Sequence, residues 1–165
     1  MRVLAGHGVT LEPQIAAHAA ALYAVISEPA LYRYIDSKEP ESEAALAERL
    51  ARLQSRTSPD GTEHWLNWVV RTASGEIAGY VQATVTPDHQ AEIAYVFGLA
   101  HQRRGYAFAA CAAMIAELGA SYGVTQLTAT LDPQNAASRA LLEKLGFTLA
   151  GEGPTAHEVT FARDL

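Results

Sequence analysis

Three short apolar segments between residues 64 and 99 constrain the fold more than any other feature. They have the sequences HWLNWVVRT, IAGYVQATVTP and AEIAYVFGL, and the polar linkers ASGE and PDHQ separate them. Each segment is rich in β-branched and aromatic residues, which favour strands, and linkers this short join neighbouring strands. The pattern predicts three consecutive antiparallel strands.

Helical patterns flank these strands on both sides. Apolar residues recur at helical spacing in residues 14–27 and 42–56, and Ser42 is the predicted N-cap of the second of these helices. A long alanine-rich helix is predicted after Gly105, and a shorter helix is predicted at about residues 135–145. Further short strands are predicted at the start of the chain and at TQLTATL, FTLAGEG and HEVTFARDL.

This order of elements predicts an α/β (α+β) fold with a mixed, mostly antiparallel sheet of about seven strands flanked by about four helices. The 165 residues, 49% of them hydrophobic, suffice for one domain over residues 1–165 and exclude a disordered chain. No apolar run approaches the ~18 residues that span a bilayer, and the start MRVLAGHGVTLEP lacks the apolar region of a secretory signal. We expect a cytoplasmic protein without a membrane partner.

Cysteine content and charge exclude two further classes of protein. The single cysteine, Cys111, and the six scattered histidines offer no zinc-ligand spacing, so no metal site is predicted. The formal net charge of −6 argues against a nucleic-acid partner, because neutralising phosphates requires a basic surface. An anionic ligand would therefore need a local binding feature.

Such a feature lies in residues 91–118, where a predicted strand, a short loop and a long helix follow one another. The loop contains Gln102, Arg103, Arg104 and Gly105. A helix N-terminus presents unpaired N–H groups and partial positive charge to an anion, and Gly105 would let a ligand approach the backbone. A plain strand-to-helix turn would contain such a glycine as well. The patterns GxxxxGK[ST], and GxGxxG after a first strand, are absent from the sequence.

The segment QRRGYA resembles the [Q/R]xxGx[G/A] signature of the GNAT superfamily of N-acetyltransferases. The resemblance extends through AEIAYVFGLAHQRRGYAFAA and LDPQNAASRALLEKLGF. Together these segments resemble the subfamily that includes the ribosomal-protein alanine N-acetyltransferases. Two positions depart from that subfamily: Leu99, where proline is common, and Gln102, where an aromatic residue is common. The resemblance implies a single-domain GNAT fold with acetyl-CoA as co-substrate.

The resemblance also implies which residues contact acetyl-CoA. In similar enzymes the loop amides cradle the pyrophosphate, the backbone of the preceding strand bonds the pantetheine, and an NxxS pattern on the next helix lines the pantetheine channel. From the residues alone, Asn135 is also explained as a helix cap, and at least one of the two loop arginines as an ordinary surface charge. The implied contacts are Phe97, Gly98, Leu99, Gln102, Arg103, Arg104, Gly105, Tyr106, Ala107 and Asn135.

Acetyl transfer needs a neutral attacking amine and a protonated leaving thiol, and two residues are candidates for these roles. Glu92 is the candidate base, because an unpaired carboxylate on a central strand would be buried and its pKa raised. An exposed or arginine-paired Glu92 is the alternative. Ser138 is the candidate acid, with Tyr95 and Tyr106 as substitutes. Strand alternation places Tyr95 on the face opposite Glu92, where it would belong to the core.

We therefore expect an acetyl-CoA-dependent N-acetyltransferase that transfers the acetyl group directly to a primary amine in a ternary complex. The acceptor is either a protein N-terminus or a small-molecule amine, and the resemblance leaves a homodimer open. A non-catalytic acyl-CoA-binding regulatory module is the alternative. Trp65 and Trp68 should face opposite sides of their strand, one in the core and one toward the acceptor cleft. The acidic segment 28–43 would favour a cationic amine.

Overall fold

The computed structural model describes residues 1–35 and 37–165. Within this part of the chain, eight strands form one sheet in the order β1-β2-β3-β4-β5-β6-β8-β7. Every neighbouring pair is antiparallel except β5 and β6, which run parallel. The strands are β1 (Leu4–Gly6), β2 (Val9–Pro13), β3 (His64–Thr72), β4 (Ile77–Val85), β5 (Gln90–Phe97), β6 (Gln126–Leu131), β7 (Thr148–Glu152) and β8 (Val159–Asp164).

Four α-helices accompany the sheet in the described ranges, so the predicted fold class is confirmed. None of these helices combines the length and the apolar character that crossing a membrane would require. The helices are α1 (Ala19–Ile26), α2 (Glu43–Leu53), α3 (Tyr106–Tyr122) and α4 (Ala136–Lys144), and short 3-10 turns occupy Ala16–His18, Pro29–Tyr34 and Leu99–His101.

Local sequence signals account for most of these boundaries. The predicted antiparallel strands are confirmed, because β3, β4 and β5 pair in chain order. Ser42 caps α2 as predicted, since its Oγ accepts the N–H of Ala45 at 3.1 Å, and Gly123 ends α3 with a left-handed φ of 64°. The predicted strand count falls one short because β1 has only three residues, too few for an alternating pattern to be recognised.

Side chains alternate between the two faces of the sheet, and each face carries its own apolar cluster. On one face, here called the α1–α2 face, Leu22 of α1 and Leu50 of α2 share a buried cluster with Val96 of β5. On the opposite face, the α3 face, Met114 of α3 belongs to a larger cluster that contains the fully buried Trp68. The helices thus cover the sheet on both sides.

An opening between β5 and β6 interrupts the sheet. Their ladder contains three residue pairs, the last of which joins Glu92 to Thr128, and it continues no further in the described residues. β5 nevertheless extends to Phe97 and β6 to Leu131, so the two strands separate toward their carboxyl ends. Because the strands run in the same direction, the loops that follow them lead to the N-termini of α3 and α4 at the open end.

Candidate active site

The loop from β5 to α3 has the geometry of an anion-binding turn. It begins with the 3-10 turn at Leu99–His101, of which Leu99 is exposed, and Arg103 and Gly105 then adopt left-handed φ angles of 59° and 82°. No side chain in the described chain caps α3, and nothing lies within 4 Å of the position that a Cβ on Gly105 would take. The uncapped N–H groups of this 17-residue helix therefore face open space with partial positive charge.

Of three exposed loop side chains, one binds the backbone and two are cations that the described residues leave unpaired. Gln102 donates from Nε2 to the Phe97 carbonyl oxygen at 3.1 Å and so ties the loop to the end of β5. Arg103 and Arg104 are exposed, and within residues 1–35 and 37–165 neither forms an ion pair. Their charges are therefore free to act on an anion at the start of α3. Tyr106 and Ala107, the first residues of α3, are half-buried.

The end of β5 differs in detail from the predicted pantetheine contacts. The Gly98 N–H already donates to the Ala78 carbonyl oxygen at 3.0 Å. A Cβ on Gly98 would lie 2.6 Å from Val25 Cγ1, so the packing of α1 requires glycine there. Since successive strand residues direct their peptide groups to opposite neighbours, those of Tyr95 and Phe97 face the opening. The backbone that faces the opening is therefore at Tyr95 and Phe97 rather than at Gly98, and the Phe97 carbonyl oxygen already accepts the hydrogen bond from Gln102.

A hydroxyl pair spans the opening from β5 to α4. The Tyr95 hydroxyl lies 2.7 Å from Ser138 Oγ and 3.3 Å from the Ser138 carbonyl oxygen. Burial raises the pKa of the Tyr95 phenol well above its usual range, and the hydrogen bond with Ser138 opposes that rise only in part. Tyr95 packs against the core of the α3 face, as predicted, but its hydroxyl also reaches the candidate acid. Sequence reasoning missed this contact because it depends on where the first turn of α4 crosses β5.

The first turn of α4 uses Asn135 as its cap. Asn135 Oδ1 accepts the Ser138 N–H at 3.1 Å, and both residues are half-buried. The capping role is therefore present, and it leaves the Asn135 side-chain NH2 group as the part of the amide that a ligand would meet. Residues at positions i and i+3 share one side of a helix, so Asn135 and Ser138 face the same region.

The predicted burial of Glu92 is wrong. Glu92 is exposed on the α1–α2 face, where β4 places Thr84 and β6 places Thr128 beside it. The reason is that α1 and α2 cover the carboxyl end of β5 around Val96 and leave Ala94 and Glu92 uncovered. In the described chain Glu92 forms no ion pair. It is thus an uncompensated carboxylate that solvent reaches.

The two tryptophans of β3 face opposite sides, as predicted. Trp68 is fully buried on the α3 face and donates its indole N–H to the Arg2 carbonyl oxygen at 3.0 Å. Trp65 is half-buried on the α1–α2 face, the face that carries Glu92. Of the acidic segment 28–43, Asp36 lies outside the described residues, and the preference for a cationic amine stays a prediction.

The sequence matches the family model of the acetyltransferase (GNAT) domain over residues 9–148. The matched range runs from the first residue of β2 to the first residue of β7, so it contains the opening, the loop and both helix N-termini. A search of curated protein sequences finds no match.

Solved structures share this fold over nearly the whole chain. RimL, a ribosomal L7/L12 alpha-N-protein acetyltransferase in complex with coenzyme A, has a TM-score of 0.85 at 18% identity, covering 99% of this chain and 98% of that chain. RimJ from Mycobacterium smegmatis, in complex with CoA-disulfide, has a TM-score of 0.82 at 21% identity, covering 98% and 85%. An acetyl transferase from Salmonella typhimurium that modifies the N-terminal serine of 50S ribosomal subunit protein L7/L12 has a TM-score of 0.80 at 19% identity, covering 96% and 95%. At these identities the likeness shows the fold alone.

A mixed sheet that opens between two parallel strands, with an uncapped helix N-terminus beside the opening, is the fold of an acetyltransferase. The match to the family model extends over most of the chain, and the chain belongs to the GNAT acetyltransferase family. The protein is an N-acetyltransferase, and the enzymes of this family use acetyl-CoA as the donor. The predicted family is confirmed, and ribosomal-protein acetyltransferases are among the solved structures that share the fold.

Proposed function

We propose that this enzyme transfers the acetyl group directly from acetyl-CoA to a primary amine while both substrates occupy the opening between β5 and β6. The observation that carries the proposal is the position of the candidate base and the candidate acid at this opening. Glu92 lies on the α1–α2 face, and the Tyr95 hydroxyl meets Ser138 on the α3 face. The two positions on β5 are about 10 Å apart along the strand. An amine approaching from one face and a thiol leaving toward the other fit this arrangement.

The donor fits the loop and the helix N-terminus by charge and by space. The pyrophosphate would accept hydrogen bonds from the uncapped N–H groups of α3 at Gly105, Tyr106 and Ala107, with Arg103 and Arg104 adding positive charge. The pantetheine amides would pair with the backbone of β5 that faces the opening, and the amide NH2 group of Asn135 would bond from α4. This local positive site explains how a chain of net charge −6 can hold a strongly anionic substrate.

Glu92 acts as the general base in this proposal. Its carboxylate accepts a proton from the acceptor ammonium, directly or through a water, so that the neutral amine attacks the thioester carbonyl carbon. Exposure supports this role, because both the acceptor and water reach the carboxylate from solvent. Thr84 and Thr128, the residues paired with Glu92 in the sheet, are uncharged, so neither of them neutralises the Glu92 carboxylate.

Ser138 and Tyr95 act together as the general acid. As the C–S bond breaks, the Ser138 hydroxyl protonates the departing sulfur, and the Tyr95 hydroxyl replaces the proton through its 2.7 Å contact with Ser138 Oγ. Burial raises the pKa of the Tyr95 phenol, so the phenol carries its proton when the thioester binds. The acceptor nitrogen loses two protons as the ammonium becomes an amide: Glu92 accepts the first and passes it to solvent, and the second leaves the tetrahedral intermediate for solvent. The hydroxyl pair gives one proton to the sulfur and regains one from solvent, so each turnover releases one proton.

The acceptor class is supported by the structural neighbours. The Salmonella typhimurium enzyme modifies an N-terminal serine, and RimL is an alpha-N-protein acetyltransferase. A protein N-terminus is therefore the acceptor we favour, with a small-molecule primary amine as the competing one. No structural observation favours the alternative of a non-catalytic acyl-CoA-binding module.

The test is a thiol-release assay with acetyl-CoA over a panel of peptides with free N-termini and small primary amines. We expect release that depends on the acceptor, with one acetylated product per thiol by mass spectrometry. Acetyl-CoA that raises Tm while no member of the panel releases thiol would instead support the binding module.

A further inference from the structure

A groove on the α1–α2 face is lined by positive charge, whereas a site for cationic amines is expected to be lined by negative charge. It has a volume of about 440 Å³ and lies between the last turns of α2, the loop of residues 55–59 and the start of β3. Its charged lining side chains are Arg49 and Arg52, and the Trp65 ring forms part of its wall. Arg49 and Arg52 are three residues apart on α2, so they project from the same side of that helix.

Both arginines reach the groove, and Arg49 also lies beside the Tyr80 hydroxyl. They are exposed, and in the described residues neither takes part in an ion pair. Glu48 lies beside Arg49 on α2 and does not line the groove, and the two carboxylates near its loop wall have hydrogen-bond partners. Glu63 accepts the Trp65 indole N–H at 2.9 Å, and Asp60 accepts hydrogen bonds from Ser58 and Thr62 that hold the pKa of its carboxyl at about 2.

The register of the sheet relates this groove to Glu92. Trp65 of β3 pairs with Thr84 of β4, and Thr84 pairs with Glu92 of β5. Directly paired residues project on the same face, and neighbouring strands are about 4.8 Å apart, so Trp65 lies about 10 Å from Glu92 across the α1–α2 face. An extended peptide advances about 3.4 Å per residue. A peptide with its amine at Glu92 would therefore bring its third and fourth residues to the groove.

We propose that the groove formed by Arg49, Arg52 and Trp65 binds an acidic side chain at the third or fourth position of a peptide acceptor. The inference rests on the proposed function, since it takes Glu92 as the place of the amine. Arginine binds carboxylates through two parallel hydrogen bonds, and the Trp65 ring offers a flat apolar surface to the peptide beside that contact. The enzyme thus selects acceptors that are cationic at the amine and anionic about three residues further on.

The experiment measures KM at saturating acetyl-CoA for hexapeptides that differ only at positions three and four, with aspartate, asparagine or lysine at both. We expect KM for the aspartate peptide to be about tenfold lower than for the asparagine peptide, with the lysine peptide weakest. The double variant Arg49→Gln/Arg52→Gln should bring the KM values for the aspartate and asparagine peptides together. The charge-conserving variant Arg49→Lys/Arg52→Lys should retain most of the preference.

A binding measurement separates failure of this inference from failure of the proposed function. Trp65 is one of two tryptophans in the chain, and the other, Trp68, is fully buried. Titrating the CoA-loaded protein with the aspartate peptide should change tryptophan fluorescence, and Trp65→Phe should abolish the change. Equal KM values and equal affinities for the three peptides would overturn the inference while the transferase activity stands. Tight, aspartate-dependent binding without thiol release would support the groove and overturn the proposed transfer to peptides.

Discussion

The Tyr95 hydroxyl lies 2.7 Å from Ser138 Oγ and connects β5 to α4 across the opening of the sheet. If this pair supplies the proton to the leaving thiol, Tyr95→Phe should lower kcat by about 100-fold, in the range of general acid catalysis. The affinity for acetyl-CoA should change by less than about threefold, because the ring remains in place and only one neutral hydrogen bond is lost. Steady-state kinetics together with a CoA titration measure both quantities.

The double variant Tyr95→Phe/Ser138→Ala tests whether the two hydroxyls act as a unit. Groups in one relay give strongly non-additive losses, so the double variant should be no slower than the slower single variant. If instead the fold-loss in kcat of the double variant equals the product of the two single losses, Tyr95 and Ser138 have separate roles.

Glu92→Gln should lower kcat/KM for the amine by about 100-fold and flatten the rise of the rate with pH, because the amide cannot accept a proton. Acetyl-CoA affinity should be unchanged, since Glu92 lies on the face of β5 opposite the Tyr95–Ser138 pair. The pH–rate profile and a CoA titration supply the measurements. Glu152→Gln on the edge strand β7 is the matched control, as it removes another exposed strand carboxylate, and it should leave the profile intact. If the Glu92→Gln variant kept the wild-type pH–rate profile, Glu92 would not be the base, and solvent would deprotonate the amine instead.

Much of the fold follows from local pattern. The meander β3–β5, the helix that begins after Gly105 and the cap at Ser42 all depend on contacts within a few residues, which the sequence displays directly. The hairpin β1–β2 does not, because β1 has three residues and its stability depends on pairing with the rest of the sheet. A short edge strand of this kind is set by tertiary contacts rather than by its own composition.

The candidate site was predicted less completely than the fold, for a physical reason. Strand alternation correctly separates Tyr95 from Glu92, but whether each face is covered depends on where α1, α2 and α4 cross the sheet. Those crossings leave Glu92 exposed and bring Ser138 to Tyr95. Arg49 and Arg52 belong to an ordinary amphipathic helix in the sequence, and only the register of β3 with β4 and β5 relates them to the site.

The ion pair between Arg2 and Glu117 makes stability depend on pH. Arg2 Nε donates to Glu117 Oε2 at 2.9 Å, and this hydrogen bond holds the pKa of the Glu117 carboxyl below its ordinary value. A lowered folded-state pKa contributes stability above the unfolded pKa of about 4.3 and loses it as pH falls through the folded value. Glu117→Gln should therefore lower Tm at pH 7, and the difference from wild type should shrink below about pH 4.

Glu143→Gln is the control for this pH dependence, because Glu143 forms an exposed pair with Arg139 at 2.9 Å on the surface of α4. Exposed pairs contribute little to stability, so its Tm should follow that of wild type across the same pH range. A Tm difference for Glu117→Gln that stays constant from pH 7 to pH 3 would show that the Glu117 charge does not contribute to folding.

Gly105→Ala separates backbone strain from ligand binding at the start of α3. Gly105 has a φ of 82° and Gly75, in the β3–β4 turn, has a φ of 89°, and a Cβ on either residue would meet no atom within 4 Å. Alanine should therefore cost roughly 1 kcal/mol of unfolding free energy at both positions. Only at Gly105 would the methyl group enter the space through which the pyrophosphate approaches the helix N–H groups, so only Gly105→Ala should weaken CoA binding, by about tenfold. Calorimetric titration with CoA and denaturant unfolding of both variants decide this, and equal affinity in the two variants would place the pyrophosphate away from α3.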